Sequence, residues 1–202
     1  MSAEDLHTLM SDGRLIRSAD LSLFGLHRVS LSKLEDQGKI EKVSRGVYIR
    51  SDVQKHPLLP YCILSLRIPQ GIFGLDSVFS FYRLEPVTNH IWIRLCKGKK
   101  KYPKVNDFGA SYLTRSDAFF HQGICTTMIH GVQLRYTTLA HAVAECVVFR
   151  NRMGVSNMLT ALMMYLQDPH YSKDQFQEAC RIHRVENVVK PYLATCIHLM
   201  GE

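Results

Sequence analysis

Several absences narrow what this sequence of 202 residues encodes. No apolar run approaches the roughly 20 residues that a membrane-spanning helix needs. The longest, Ala142–Phe149 and Met158–Leu166, are short or interrupted, so no transmembrane segment is expected. The opening stretch MSAEDLHTLMSDG carries acids where a signal peptide has bases, and the protein is expected to stay in the cytoplasm. Six cysteines, Cys62, Cys96, Cys125, Cys146, Cys180 and Cys196, include no Cys-x-x-Cys pair. That argues against a disulfide scaffold and against a zinc ribbon, and they read as reduced, mostly buried thiols. There is no Gly-x-Ser-x-Gly elbow, Walker loop, Gly-x-Gly-x-x-Gly or His-Glu-x-x-His, so hydrolase, nucleotide-binding and zinc-protease chemistry have no support. No repeat and no low-complexity tract appears.

The composition is that of a folded chain: 46% hydrophobic and 21% charged, enough for one large domain or two small ones. Lys and Arg total 25 against 18 Asp and Glu, and the net +7 favours a polyanionic partner. The excess is unevenly spread. Residues 1–55 hold 9 bases and 8 acids, and the remainder holds 16 and 10. From Arg94 to Lys104 there are six bases (Arg94, Lys97, Lys99, Lys100, Lys101, Lys104) and no acid. Such a run, with Tyr102 inside it, suits a nucleic-acid backbone or a partner, or is a solvated hairpin tip. Between Arg14 and Arg50, eight bases face four acids.

The order of elements is informative in the first part. Leu6, Leu9 and Met10 share one side of a helix over Ala3–Ser11. Ser18 is placed to cap a second helix, Ala19–Phe24, stopped by Gly25. A third helix, Arg28–Gln37, sets Leu31 and Leu34 at core spacing and closes at Gly38. IEKV and VYIR then flank Ser44-Arg45-Gly46 as a hairpin. Three short helices and a hairpin make a winged helix-turn-helix, whose third helix enters the major groove while the wing reaches adjacent backbone. His27, Arg28, Ser30, Ser32 and Lys33 on that helix, with Lys42, Arg45 and Tyr48 on the wing, are the expected DNA-binding residues.

Residues 1–55 thus form an expected DNA-binding domain and 56–202 a second, α+β domain with antiparallel strands and a helical C-terminus. His56–Gln70, with Pro57, Pro60 and Pro69, reads as an apolar helix bridging them. A short helix, Asp76–Leu84, is followed by strands in NHIWIRL and ASYLTR and by a hairpin of CTTMI and VQLRY around His130-Gly131. Thr137 or Thr138 caps a helix over Leu139–Asn151. Further helices follow at Val155–Gln167, at Lys173–His183 behind Ser172, and at Val185–Leu199.

Two chemical readings are weaker than their bland counterparts. Cys180, His183, Cys196 and His198 allow a metal site, but a core thiol and a surface imidazole on amphipathic helices account for them. A nuclease would draw on Asp107, Asp117 and Glu145, none in an acid-x-Lys pair at a strand end. Glu145 and Arg150 read instead as a partly buried ion pair. No enzymatic activity, cofactor or metal is expected.

The block LSKLEDQGKIEKVSRGVYIR resembles the winged-helix start of AbiEi-type antitoxins. IPQGIFGLDSVFSFYRL, NHIWIRL, TLAHAVAECVVFRNRMG and CRIHRVENVVKPYL follow in that family's order, with Phe149, Arg150, Asn151, Gly154, Arg184, Pro191 and Tyr192 matching its pattern. His141, Ala142 and Glu145 depart from it. The resemblance implies a type IV toxin–antitoxin function in phage defence. The winged helix would bind inverted repeats in the protein's own promoter and repress it, which leaves room for a dimer on DNA. The C-terminal domain, with Glu145, Arg150, Asn151, Arg184 and Tyr192 as structural residues, would counter a nucleotidyltransferase-like toxin without a stable complex. The protein would then be associated with the nucleoid. An alternative is a stand-alone regulator of a mobile element whose C-terminal domain senses a ligand or dimerises. A third reading is an enzyme on nucleic acid with a metal at Glu145 or Asp107.

Overall fold

The computed structural model describes residues 10–25, 27–98, 102–105 and 108–200, apart from the side chains of Phe24 and Arg28. The chain falls into two compact units. One runs to Pro69 and takes in Thr127–Leu134; the other comprises Gln70–Thr126 and the chain from Arg135 onward.

In the first unit, strand β1 (Ile16–Arg17) and a 3-10 turn (Leu21–Phe24) precede helix α1 (Arg28–Asp36). Leu31 and Leu34 turn one side of α1 inward, and both are buried. Strands β2 (Ile40–Ser44) and β3 (Val47–Arg50) form the expected hairpin, and the antiparallel sheet order is β1-β3-β2. Met10, Ile16, Leu21, Leu31, Leu34 and Ile40 make the core between helix and sheet. Helix α2 (Leu59–Arg67), with Pro60 in its first turn, is counted with this unit.

One local expectation needs correction, and one element is added. The segment over Ala19–Phe24 is a shorter 3-10 turn with no side-chain cap; Ser18 does not cap it, and its N–H donates instead to Gly46 O at 2.8 Å. Strand β1 is an addition to the expected elements. Most of the Ala3–Ser11 helix lies outside the described residues, and Met10 begins a turn closed by Gly13 N–H on its carbonyl at 3.0 Å.

The residues 127–134 belong to the tip of a later hairpin, and they complete the first unit. His130 accepts from Leu15 N–H through its carbonyl at 2.9 Å. Its imidazole bonds Gly13 O at 2.8 Å through Nδ1 and accepts from His56 N–H at 3.1 Å through Nε2. These two bonds fit the tautomer that carries its proton on Nδ1. His130 and Gly131 both take left-handed backbone, φ 50° and 70°, as a two-residue hairpin turn requires.

The second unit carries β4 (Ile72–Phe73), a 3-10 segment (Leu75–Tyr82), β5 (Ile91–Cys96), β6 (Ala110–Arg115), a short helix α3 (Asp117–Phe120), and most of the hairpin β7 (Ile124–Ile129) and β8 (Val132–Thr137) outside its tip. The sheet order is β6-β5-β4-β8-β7. β4 is antiparallel to β5, but β4–β8 and β5–β6 are parallel, so the sheet is mixed where antiparallel strands were expected. β5 and β6 are therefore parallel neighbours that no tight hairpin can join, and a hairpin-tip reading of the lysine run is ruled out.

Helix α4 (Leu139–Val148) is buried along almost its whole length at the centre of this unit. It packs against the 3-10 segment, α6 (Val155–Gln167) and α7 (Lys173–Ile182). Of the two candidate caps, Thr138 is the one used, its Oγ1 accepting from His141 N–H at 3.4 Å. The helix ends at Val148, short of Asn151, and a separate turn α5 (Arg150–Met153) follows before α6. Ser172 caps α7 through Gln175 N–H at 3.4 Å, and α8 (Glu186–Met200) carries Pro191 within it. The architecture is α+β.

Candidate nucleic-acid interface

Helix α1 presents two chemically distinct sides. With Leu31 and Leu34 inward, helical geometry sets Val29, Ser32, Lys33 and Asp36 on the opposite side. All four are exposed, Val29 at 77%. His27 precedes the helix in extended conformation and is exposed, whereas Ser30 lies on the flank and is half-buried. The side chain of Arg28 falls outside those described. Sequence reasoning passed over Val29, although its spacing of three and four from Ser32 and Lys33 marks it as a member of their face.

The wing is tied down close to this helix. Gly46 has φ 72°, and a Cβ added there would stand 2.9 Å from Ser18 Oγ. Only glycine suits that turn, which leaves Arg45 exposed beside it. The register of β2 on β3 shifts between Lys42 and Ser44, a bulge that locally bends the strand. Tyr48 lies in the central strand, opposite both Ile16 and Lys42, and packs half-buried against the core. There it stands at the wall of a cleft. Ser18, Leu31, Ser32, Arg45, Gly46 and Tyr48 line that cleft, of about 300 Å³, between helix and wing.

Ion pairing sorts the basic residues of this unit. Arg14 pairs with Asp12 at 2.7 Å, Arg17 with Asp20 at 2.6 Å, Lys55 with Glu41 at 2.8 Å, and Arg50 with Asp52. Lys33, Lys42 and Arg45 make no ion pair among the described residues, and all three are exposed. The exposed cations without an ion pair among the described residues thus include those of the helix face and the wing, with Lys39 between them.

The lysine run contributes less to one surface than its composition implies. Arg94, counted with it in the sequence, is fully buried in β5 and belongs to the core. Lys97 and Lys104 are exposed; Lys99, Lys100 and Lys101 lie outside the described residues. Past them the chain is anchored: the Tyr112 hydroxyl donates to Pro103 O, and the Tyr102 and Tyr112 rings stand 5.5 Å apart.

Inside the second unit a polar chain crosses the core. Arg94 bonds Glu145 at 3.1 Å and Gln122 O at 2.9 Å, while Arg115 approaches the same carboxylate at 3.8 Å. The partner of Glu145 is therefore Arg94, not Arg150, which donates to Val147 O at 3.0 Å. Arg115 Nη2 meets His183 Nδ1 at 2.8 Å, and His183 Nε2 meets His141 Nδ1 at 3.1 Å. Since Arg can only donate, His183 accepts at Nδ1, donates at Nε2 to His141, and both rings are neutral. Burial, reinforced for His183 by Arg115 and for His141 by Arg94, pushes them down to about 3 and about 4 respectively. His183, expected as a surface imidazole, is a core residue at 4% exposure. Asn151 is exposed, Arg184 sets its guanidinium 5.7 Å from the Phe119 ring, and Tyr192 packs on the core.

The weighed metal ligands do not come together. Among the described residues no group of three or more His, Cys, Asp or Glu is placed to hold an ion. Asp117 is exposed while Glu145 is enclosed, and Asp107 lies outside the described residues. No described helix is long and apolar enough to cross a membrane.

A comparison with curated proteins gave no match. Over residues 6–51, the segment that carries α1 and the wing, the chain matches the model of the family described as transcriptional regulator, AbiEi antitoxin, the family its sequence resembles.

Proposed function

We propose that the chain is the DNA-binding autorepressor and antitoxin of a type IV, AbiE-like pair. One observation carries the reading: the segment matched by the regulator family is the segment in which Lys33, Lys42 and Arg45 are exposed and make no ion pair among the described residues. In this reading residues 1–55 bind inverted repeats in the protein's own promoter. His27, Arg28, Ser30, Ser32 and Lys33 approach the major groove, and Lys42, Arg45 and Tyr48 the adjacent backbone. Lys97, Lys99, Lys100, Lys101 and Lys104 add electrostatic contacts to nucleic acid or partner.

Residues 56–202 supply the antitoxin function against a nucleotidyltransferase-like toxin, without a stable complex, in defence against phage by abortive infection. The motifs from Phe149 to Gly154 and at Arg184, Pro191 and Tyr192 support this half. No catalytic step is assigned to the chain, and its site of action is the cytoplasm, at the nucleoid.

The test is a gel-shift titration on the upstream DNA and on a scrambled duplex at two salt concentrations. Saturable preference for the upstream DNA is the expected result; salt-sensitive binding without preference overturns the repressor assignment. Co-expression with a nucleotidyltransferase encoded beside it tests the other half, with rescued growth expected and unrelieved toxicity overturning it.

A further inference from the structure

Val29 is an exposed apolar residue on the proposed DNA-binding helix, as Leu23 is in the turn before it. It lies in the first turn of α1, diametrically across the helix from Leu31 and Leu34, and is 77% exposed. A β-branched apolar residue gains nothing for helix formation or for the core from such a place. Its neighbours one turn on, Ser32 and Lys33, are polar and cationic, Asp36 follows two turns on, and Lys33 has no ion pair among the described residues. Lys42 and Arg45 add further uncompensated positive charge on the same unit. At the N-terminal end of that face an apolar side chain stands beside a hydroxyl and a cation, which complements a duplex groove, where phosphates flank the single apolar group that base edges display, the C5-methyl of thymine.

We propose that Val29 reads thymine, packing its side chain on a C5-methyl group in the major groove, as the sequence-discriminating contact of α1. This rests on the DNA-binding reading above. Ser32 and Lys33, one turn on, then reach adjacent phosphates or base edges and fix the register that brings Val29 to the methyl. The contact explains why an apolar side chain occupies the first turn, the part of a recognition helix that enters the groove most deeply. The other occupant of such a patch, a protein partner, is an outcome of the test.

The experiment uses the full chain and its upstream duplex, with each thymine in turn replaced by deoxyuridine, which removes only the methyl. Wild type should lose about fourfold in affinity at one or two positions, the factor for one buried carbon group. Val29→Ala should bind the native duplex about fourfold more weakly and no longer distinguish thymine from uracil there, with its affinity for scrambled DNA unchanged. The position is exposed, so the variant should fold as wild type does, with circular dichroism as the check. If wild type prefers its upstream DNA but no substitution matters, or if Val29→Ala keeps the discrimination, the Val29 assignment is overturned and the DNA reading stands. If wild type shows no preference for the upstream duplex, both fall together.

Discussion

Arg94 Nη1 and Glu145 Oε1 stand 3.1 Å apart with neither side chain exposed to solvent. The pair is embedded in an apolar core, and Arg94 Nε and Glu145 Oε2 find no further partner among the described residues. A buried pair of this kind adds little net stability, because desolvation offsets much of the attraction. Removing one member is different, since it strands a charge.

Glu145→Gln should therefore cost about 3–5 kcal/mol, as it leaves Arg94 and Arg115 without their shared counter-charge. Arg94→Met with Glu145→Leu should recover most of that loss. Urea unfolding of the three proteins measures it, and a single variant as stable as the double would mean that the pair does not hold this core.

The two neutral histidines give the second unit a pH dependence of known sign. Unfolded histidine protonates near pH ~6.5, whereas folded His183 and His141 resist until about 3 and about 4. Between those limits the unfolded chain binds more protons. Stability is thus complete above pH ~6.5 and falls as the pH drops below it, by roughly 1.4 kcal/mol per pH unit for each histidine. Urea midpoints should be flat from pH ~8 to ~7 and decline toward pH ~5. His183→Gln and His141→Gln should each flatten that decline; an unchanged slope in both would place its origin elsewhere.

Gly46 is constrained twice, by a left-handed φ of 72° and by Ser18 Oγ 2.9 Å from the site of a Cβ. Gly38 is constrained only by φ 67°, with open space around it. Gly46→Ala should cost about 1–3 kcal/mol and exceed Gly38→Ala. In a Ser18→Ala background the excess should disappear. Thermal unfolding decides this, and equal costs for both glycines would remove the steric account of the wing turn.

Lys33→Glu with Arg45→Glu should abolish preference for the upstream DNA while leaving the unfolding transition in place. Each phosphate that the variant no longer neutralises should reduce the slope of log affinity against log salt by about 0.9. Undiminished binding would exclude α1 and the wing as the DNA-contacting surface.

Elements marked by local chemistry were legible in the sequence. Leu31, Leu34 and Gly38 delimit α1, Gly46 and His130-Gly131 mark two hairpins, and Thr138 and Ser172 cap α4 and α7. What was hidden depends on pairing across the chain. β1 and β4 span two residues each, too few to show alternation, and periodicity says nothing of whether β5 and β6 run parallel. Arg94 looks like one more base in a cationic run because its counter-charge stands 51 positions away. For the same reason Arg150, near in sequence, looks like the partner of Glu145. Val29 is inconspicuous because an isolated apolar residue in an amphipathic helix is ordinarily assigned to the core.

The tip at 127–134 has a consequence for synthesis. Leu15 and His56 find acceptors on His130, a residue made long after the wing has left the ribosome. Chains emerge N-terminus first, at about 5–20 residues per second. The nascent first unit must therefore wait several seconds with these donors open to water or chaperones. Its final ordering is coupled to translation of the hairpin, so a messenger truncated before that point yields a first unit that is incomplete even though the segment matched by the family is entire.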